Sequence, residues 1–96
     1  MALGDVYFAD RQYTLALLWY EAAAQHRMQR ADALRAAGRT LIALGDYRES
    51  RIVYEQAIRL SKFVRPEDLL QLAECLRKTG HVTAAAELGL LAHEKA

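Results

Sequence analysis

Cysteine and proline are scarce in this chain, since each occurs once in 96 residues. A single cysteine cannot form an internal disulfide, which suits a reducing compartment, and we expect an intracellular protein of the cytoplasm or nucleus. Hydrophobic residues make up 53% of the chain and charged residues 26%. With so little proline, this balance predicts an ordered, helical chain rather than a disordered one.

An excess of charge and a long apolar run are also missing. Thirteen basic and 12 acidic residues leave a net charge of +1, which argues against a protein that coats nucleic acid or an anionic membrane. No apolar run approaches the roughly 20 residues that span a bilayer. The first ten residues, MALGDVYFAD, have no basic stretch and contain two acids, so we do not expect a signal peptide. Neither nucleic acid nor membrane is an expected partner.

Motifs for chemistry are missing as well. His26, His81 and His93 have no Cys, Asp or second His three or four residues away that would make a metal pair. The sequence contains no phosphate-binding glycine loop and no nucleophile elbow. Glu67 and Asp68 follow Pro66, where acidic residues favour a helix start. We therefore expect no enzymatic activity, no cofactor and no metal.

The most informative segment that is present runs from residue 44 to 60, LGDYRESRIVYEQAIRL. Gly45 offers the positive φ that often ends a helix, and Asp46 can cap the next one. Large and small residues then alternate at helical spacing on one face, at Tyr47, Ser50, Tyr54, Ala57 and Ile58. Such a face allows another helix to approach closely at its small residues.

The same pattern occurs twice more. The residues 34 positions before Tyr47, Ser50, Tyr54 and Ala57 are Tyr13, Ala16, Tyr20 and Ala23. A looser copy follows downstream: the residues 35 positions after Gly45, Tyr47, Ser50 and Ala57 are Gly80, Val82, Ala85 and Ala92. Gly89 stands where this third copy would have its aromatic residue. A period of 34 to 35 residues indicates stacked helical hairpins.

The period and the alternation resemble the tetratricopeptide repeat. The first helix of that family has a Leu-Gly pair and an aromatic residue, and the counterparts here are Leu3-Gly4 with Tyr7, Ala37-Gly38 with Leu41, and Leu72-Ala73 with Leu76. The family's proline at the repeat end is absent, and Lys62 takes that position in the middle repeat. The resemblance implies an all-α, right-handed α-solenoid of three helix-turn-helix hairpins in a single domain, with repeats at about 1–28, 31–62 and 66–96. By this register the first repeat lacks about one helical turn.

Helix boundaries follow from the same register. We expect helices over Ala2–Ala9, Tyr13 to about His26, Ala31–Ala43, Tyr47 to about Leu60, Pro66 to the Thr79-Gly80 turn, and Val82 to about Lys95. Gly38 lies inside a helix, where glycine destabilises by about 1 kcal/mol relative to alanine. A close contact between helices is the expected compensation. Trp19 has two open interpretations, a contact with the next repeat or an exposed anchor on the convex side.

The resemblance implies a protein–protein interaction module whose first helices line a concave groove. The positions that face this groove in the family correspond here to Asp5, Phe8, Asp32, Arg35, Arg39, Ile42, Glu67, Leu70, Glu74 and Arg77. Phe8, Ile42 and Leu70 beside Arg35 and Arg39 would suit a peptide with apolar side chains and an acidic group. An ordinary solvated face is the alternative.

One familiar subtype of the family, a clamp for a C-terminal carboxylate, does not fit. Its basic and amide positions correspond to Met1, Asp5, Ala36, Glu67 and Gln71, and the two acids would repel a carboxylate.

The last helix suggests a second contact surface. Leu88, Leu90 and Leu91 occupy more of its circumference than one buried stripe needs, which predicts an interface with a second copy or another protein in a larger assembly. We therefore expect a scaffold, adaptor or chaperone. Two alternatives remain open: a purely structural stacking segment, or an RNA-binding helical repeat of the pentatricopeptide type.

Overall fold

The computed structural model describes residues 1–95, which form six α-helices and contain no strand. The helices are α1 (Ala2–Ala9), α2 (Tyr13–Ala23), α3 (Arg30–Ala43), α4 (Tyr47–Leu60), α5 (Pro66–Lys78) and α6 (Val82–Lys95). Each helix packs against the next along the chain, and α5 also touches α3. This pattern of neighbour contacts confirms the predicted all-α fold of three helical hairpins: hairpin 1 (α1–α2), hairpin 2 (α3–α4) and hairpin 3 (α5–α6). None of the six helices is long and apolar enough to cross a membrane.

Local signals in the sequence set several helix ends. The Asp46 side chain accepts a hydrogen bond from the backbone N–H of Glu49 at 3.3 Å and caps α4. Pro66 occupies the first turn of α5, where its missing N–H has no intrahelical acceptor to lose. Gly45 and Gly80 adopt φ values of 81° and 90° in the turns within hairpins 2 and 3.

The turn within hairpin 1 reaches the same conformation without glycine. Arg11 stands 34 positions before Gly45 and has a φ of 60°. An L-residue in this left-handed region is strained by roughly 1–2 kcal/mol. The backbone of hairpin 1 therefore follows the repeat although its sequence does not.

The connection between hairpins 1 and 2 differs from the prediction. We expected α2 to continue to about His26, but it ends at Ala23 and a 3₁₀ turn covers Arg27–Gln29. The Arg30 guanidinium donates from Nε to the Ala24 carbonyl at 3.0 Å, which satisfies one of the acceptors left free at the end of α2. This bond explains how α2 can stop three residues early.

Hairpins 1 and 2 are each closed by a tyrosine ring lying on a glycine. A Cβ built on Gly4 would lie 2.6 Å from Cε1 of Tyr20, and one on Gly38 would lie 2.6 Å from Cε2 of Tyr54. The predicted close contact at Gly38 is therefore confirmed. Both tyrosine rings are buried.

The buried core is built mainly from small residues. Ala16, Tyr20, Ala36 and Ala37 form one cluster between α2 and α3, with Tyr7, Phe8 and Leu17 packed against it, and Ala23, Ala24 and Ala33 form another. Small side chains at these positions let the helices approach closely, as the alternating pattern predicted. Trp19, by contrast, is exposed.

Candidate functional site

A cleft of about 590 Å³ runs across the first helices of all three hairpins. Its lining is polar and charged, with residues from α1, α3 and α5 and a contribution from α4: Met1, Asp5, Asp32, Arg35, Ala36, Arg39, Tyr54, Arg65, Glu67, Asp68 and Gln71. We call it the concave cleft. Five of the residues predicted for the groove share this cleft: Asp5, Asp32, Arg35, Arg39 and Glu67.

Arg35 lies at the centre of an ion-pair network that joins hairpins 2 and 3. Its Nε donates to Oδ2 of Asp68 at 2.5 Å, and its Nη1 donates to Oδ1 of Asp32 at 2.6 Å. Its Nη2 donates to the Ser61 hydroxyl, which in turn donates to the Ala57 carbonyl at 2.6 Å. The side chains of Arg35 and Asp68 are only 13% and 6% exposed. Arg35 is thus held by the protein itself, whereas the sequence had suggested that it would meet a ligand.

Arg39 remains on the surface of the cleft. Its guanidinium carbon lies 4.8 Å from the centre of the Phe8 ring, a cation–π contact between hairpins 2 and 1. Phe8 is half-buried and also meets the edge of the Tyr13 ring, with 5.3 Å between ring centres. Phe8 therefore supports Arg39 from below instead of lining the cleft as an apolar anchor.

Two tyrosine hydroxyl groups have strongly perturbed acidity. Burial raises the pKa of Tyr20 to about 12, and the hydrogen bond that its hydroxyl donates to Oδ1 of Asp5, at 2.5 Å, adds to the rise. Burial likewise raises the pKa of Tyr54 to about 12, with a further contribution from the Asp68 charge. Both phenols are neutral near pH 7, and both rings are packing groups; the Tyr20 hydroxyl is also a hydrogen-bond donor.

The remaining predicted groove residues lie elsewhere. Ile42 is half-buried in α3 and does not line the concave cleft. Leu70, Glu74 and Arg77 line a separate depression between α5 and α6, together with Val82, Ala85, Ala86 and Ala73. Glu74 accepts two hydrogen bonds from Arg77, with Nη2 at 2.6 Å, and this pairing lowers the pKa of Glu74.

The predicted interface residues of α6 differ in exposure. Leu90 is well exposed, Leu91 moderately so, and Leu88 is half-buried. Leu90 continues an exposed stripe that starts at Val82 and passes through Ala86, because these residues are four apart in the helix. Whether any of the three leucines contacts another chain stays a prediction.

Sequence reasoning missed the part that Asp68, Tyr54 and Arg65 play in the cleft. Asp68 looked like an ordinary helix-start acid, and Tyr54 like a packing residue. Arg65 comes from the connection before α5, and its Nη2 lies 3.9 Å from Oδ1 of Asp32. The only available signal was the change of the repeat period from 34 to 35 residues across that connection, which says nothing about side-chain direction.

Two observations concern metal binding and thiol reactivity in the described residues. Among residues 1–95 no three His, Cys, Asp or Glu side chains gather as a metal site. Cys75 is buried, and burial raises the pKa of its thiol, which makes it a poor nucleophile.

Comparison with known proteins bears on the middle of the chain. Residues 31–63 match the family model of the tetratricopeptide repeat. This span contains α3, α4 and the start of the following connection. No curated protein matches the chain. Proteins of this repeat family are generally protein-interaction modules without catalytic activity. The match covers the middle hairpin, and the helical hairpins of the chain are consistent with an array of such repeats.

Proposed function

We propose that this chain is a protein-interaction module that binds a peptide or helix of another protein in the concave cleft. The observation that carries the proposal is the continuity of the cleft across three hairpins, with side chains of α1, α3 and α5 on one surface. An extended or helical peptide can lie across such a surface and meet several hairpins at once.

The charges of the cleft indicate the chemistry of the ligand. Arg35 is neutralised by Asp32 and Asp68, so it gives the cleft rigidity more than charge. Arg39 and Arg65 are exposed and can reach an incoming group. An acidic side chain of the partner would pair with these two arginines, and Arg39 is already held in place by the Phe8 ring.

Glu67 and Gln71 provide the opposite side of the cleft. They give the ligand site a mixed polar character, which disfavours a ligand that carries only negative charge. A peptide with an acidic residue near Arg39 and polar or basic residues near Glu67 fits best. The apolar anchors predicted from the sequence contribute less, because neither Ile42 nor Leu70 lines the cleft.

The experiment that tests this proposal uses an array of immobilised short peptides that combine aspartate or glutamate with polar or basic residues at varied spacing. Peptides that bind the wild type should lose at least about tenfold in affinity, roughly 1.4 kcal/mol, with the double variant Arg39→Glu and Arg65→Glu. The matched control is Arg48→Glu with Arg59→Glu, two exposed arginines of α4 outside the cleft. Circular dichroism establishes that all three proteins are equally helical.

If the cleft variant binds the peptides as tightly as the wild type, the peptide site lies outside the concave cleft. Binding of no peptide at all would favour the structural alternative, a stacking segment whose cleft has no ligand. Salt-dependent binding of single-stranded RNA by the wild type would favour the RNA-binding alternative. A role as scaffold, adaptor or chaperone within a larger assembly is the biological form that we propose for this binding.

A further inference from the structure

The outer face of α1 is the uncovered counterpart of a surface that is buried in the other two hairpins. Leu3 and Val6 are 49% and 62% exposed. Their counterparts 34 positions later, Ala37 and Thr40, are at most 2% exposed, and the next pair, Leu72 and Cys75, is at most 8% exposed. Ala37 is buried because α3 packs against Ala16 and Tyr20 of hairpin 1. No part of residues 1–95 does the same for α1.

At the opposite end of the molecule, hairpin 3 has an exposed groove between its two helices. The depression between α5 and α6 has a volume of about 320 Å³ and an apolar lining of Leu70, Ala73, Val82, Ala85 and Ala86. We call it the end groove. Ala85 and Ala86 stand at the repeat positions of Ala16 and Leu17 in hairpin 1, and those two residues pack against α3. Hairpin 1 therefore fills its groove with the next helix, and in hairpin 3 the groove is open.

The residues of the α1 face are of the right size for this groove. Val6 has nearly the shape of Thr40, the buried residue at the same position in α3, and Leu3 matches Leu72, its buried counterpart in α5. Gly89 and Ala86 are small and leave space on the surface of hairpin 3. A Cβ on Gly89 would have no neighbour within 4 Å.

Charge is complementary at the same contact. At the boundary of hairpins 1 and 2, Arg39 of the incoming helix lies over Phe8 of the hairpin that receives it. The residues at these two repeat positions in a contact between α1 and hairpin 3 are Asp5 and Arg77. Asp5 would therefore approach the Arg77 guanidinium, which already pairs with Glu74. A guanidinium has several N–H donors, so Arg77 can pair with both carboxylates at once.

We propose that this chain associates head to tail with a second copy of itself, with the α1 face of one copy (Leu3, Val6 and Asp5) seated in the end groove of the other. The contact is heterologous, because the two surfaces lie at opposite ends of the chain, so each added copy presents a new groove. Since α1 has only eight residues, the buried area is small and the association is weak.

Sedimentation velocity over roughly 10 μM to 1 mM covers the range of weak contacts of this size. We expect the sedimentation coefficient of the full chain to rise with concentration. Val6→Glu blocks the α1 face and Ala86→Glu blocks the end groove, and each should abolish the rise. Both positions are exposed, so neither change disturbs the core. Ile52→Glu, at an exposed position of α4, is the matched control and should associate as the wild type does.

Mixing the two blocked variants gives the decisive result. The mixture retains one intact face and one intact groove, so it should form a one-to-one dimer that grows no further at higher concentration. Leu3→Glu should reproduce the behaviour of Val6→Glu. A wild type that stays monomeric throughout this range would overturn the proposal. Continued association of Val6→Glu, or a mixture that stays monomeric, would also overturn it and would point to a symmetric contact.

Discussion

Hairpins 1 and 2 differ from hairpin 3 in what lies between their two helices. In the first two, a buried tyrosine ring rests on a helical glycine, Tyr20 on Gly4 and Tyr54 on Gly38. In hairpin 3 the corresponding pair is Ala73 and Gly89, and no ring is present. The helices nevertheless pair in all three hairpins.

The comparison teaches that the hairpin does not depend on one particular contact. A ring on a glycine fills the space between the helices and leaves a closed surface. Two small residues hold the same pairing but leave the end groove beside them, where an outside helix can lie. The absence of an aromatic residue from hairpin 3 thus leaves a groove that can serve as a contact surface.

The largest expected effect that separates the hairpins is a loss of stability at alkaline pH. Tyr20 and Tyr54 have a pKa of about 12 in the folded chain against an ordinary value of 10. The unfolded chain therefore loses these protons first, and the stabilisation present below pH 10 is lost as the pH rises towards 12. Each tyrosine contributes about 2–3 kcal/mol to this change. Urea unfolding at pH 8, 10, 11 and 12 measures it.

Tyr54→Phe is the control for the pH experiment, because it keeps the ring on Gly38 and removes the ionisable group. We expect its free energy of unfolding to decline about half as steeply above pH 10 as that of the wild type. An equal decline in both proteins would assign the alkaline transition to other groups.

An intermediate effect is expected at the glycines that receive the rings. Gly38→Leu should lower the free energy of unfolding by about 1–3 kcal/mol, because even its Cβ would lie 2.6 Å from the Tyr54 ring. Chemical denaturation at pH 7 measures the change. The contrast within the chain is Gly89→Ala, whose Cβ meets nothing within 4 Å. That variant should gain up to about 1 kcal/mol from helix propensity. Equal effects at the two sites would contradict the register of the hairpins.

The smallest expected effect concerns the turns. Arg11→Gly should stabilise the chain by about 0.5–1 kcal/mol, because it removes the strain of a left-handed arginine while adding backbone entropy to the unfolded state. Thermal unfolding followed by circular dichroism is the measurement. Gly45→Ala is the reverse change. It should destabilise the turn within hairpin 2, because Gly45 has a φ of 81°. A neutral Arg11→Gly would show that the turn relaxes without glycine.

Much of the fold was predictable because helix ends and repeat spacing are local properties. The cap at Asp46, the proline at the start of α5 and the glycine turns after α3 and α5 each act within a few residues. The end of α2 was predicted three residues too late, because the bond from Arg30 to the Ala24 carbonyl joins parts of the chain that no periodic pattern connects.

The candidate site was less predictable. The register placed Asp5, Asp32, Arg35 and Arg39 on a common surface, and they share the concave cleft. It could not show that Arg35 forms an ion pair with Asp68. These residues are 33 positions apart, and their contact depends on the directions of their side chains.

By itself, then, the sequence determined three similar hairpins, their period and the small residues that let their helices meet, since each of these depends on residue type and spacing. The tertiary structure alone decided which charges face the solvent and which face each other. It also decided that two different surfaces, the α1 face and the end groove, are exposed within the described residues. The physical reason is that the burial and the ion pairing of a residue depend on which residue of a neighbouring helix it contacts. Tertiary packing, rather than local sequence, determines that contact.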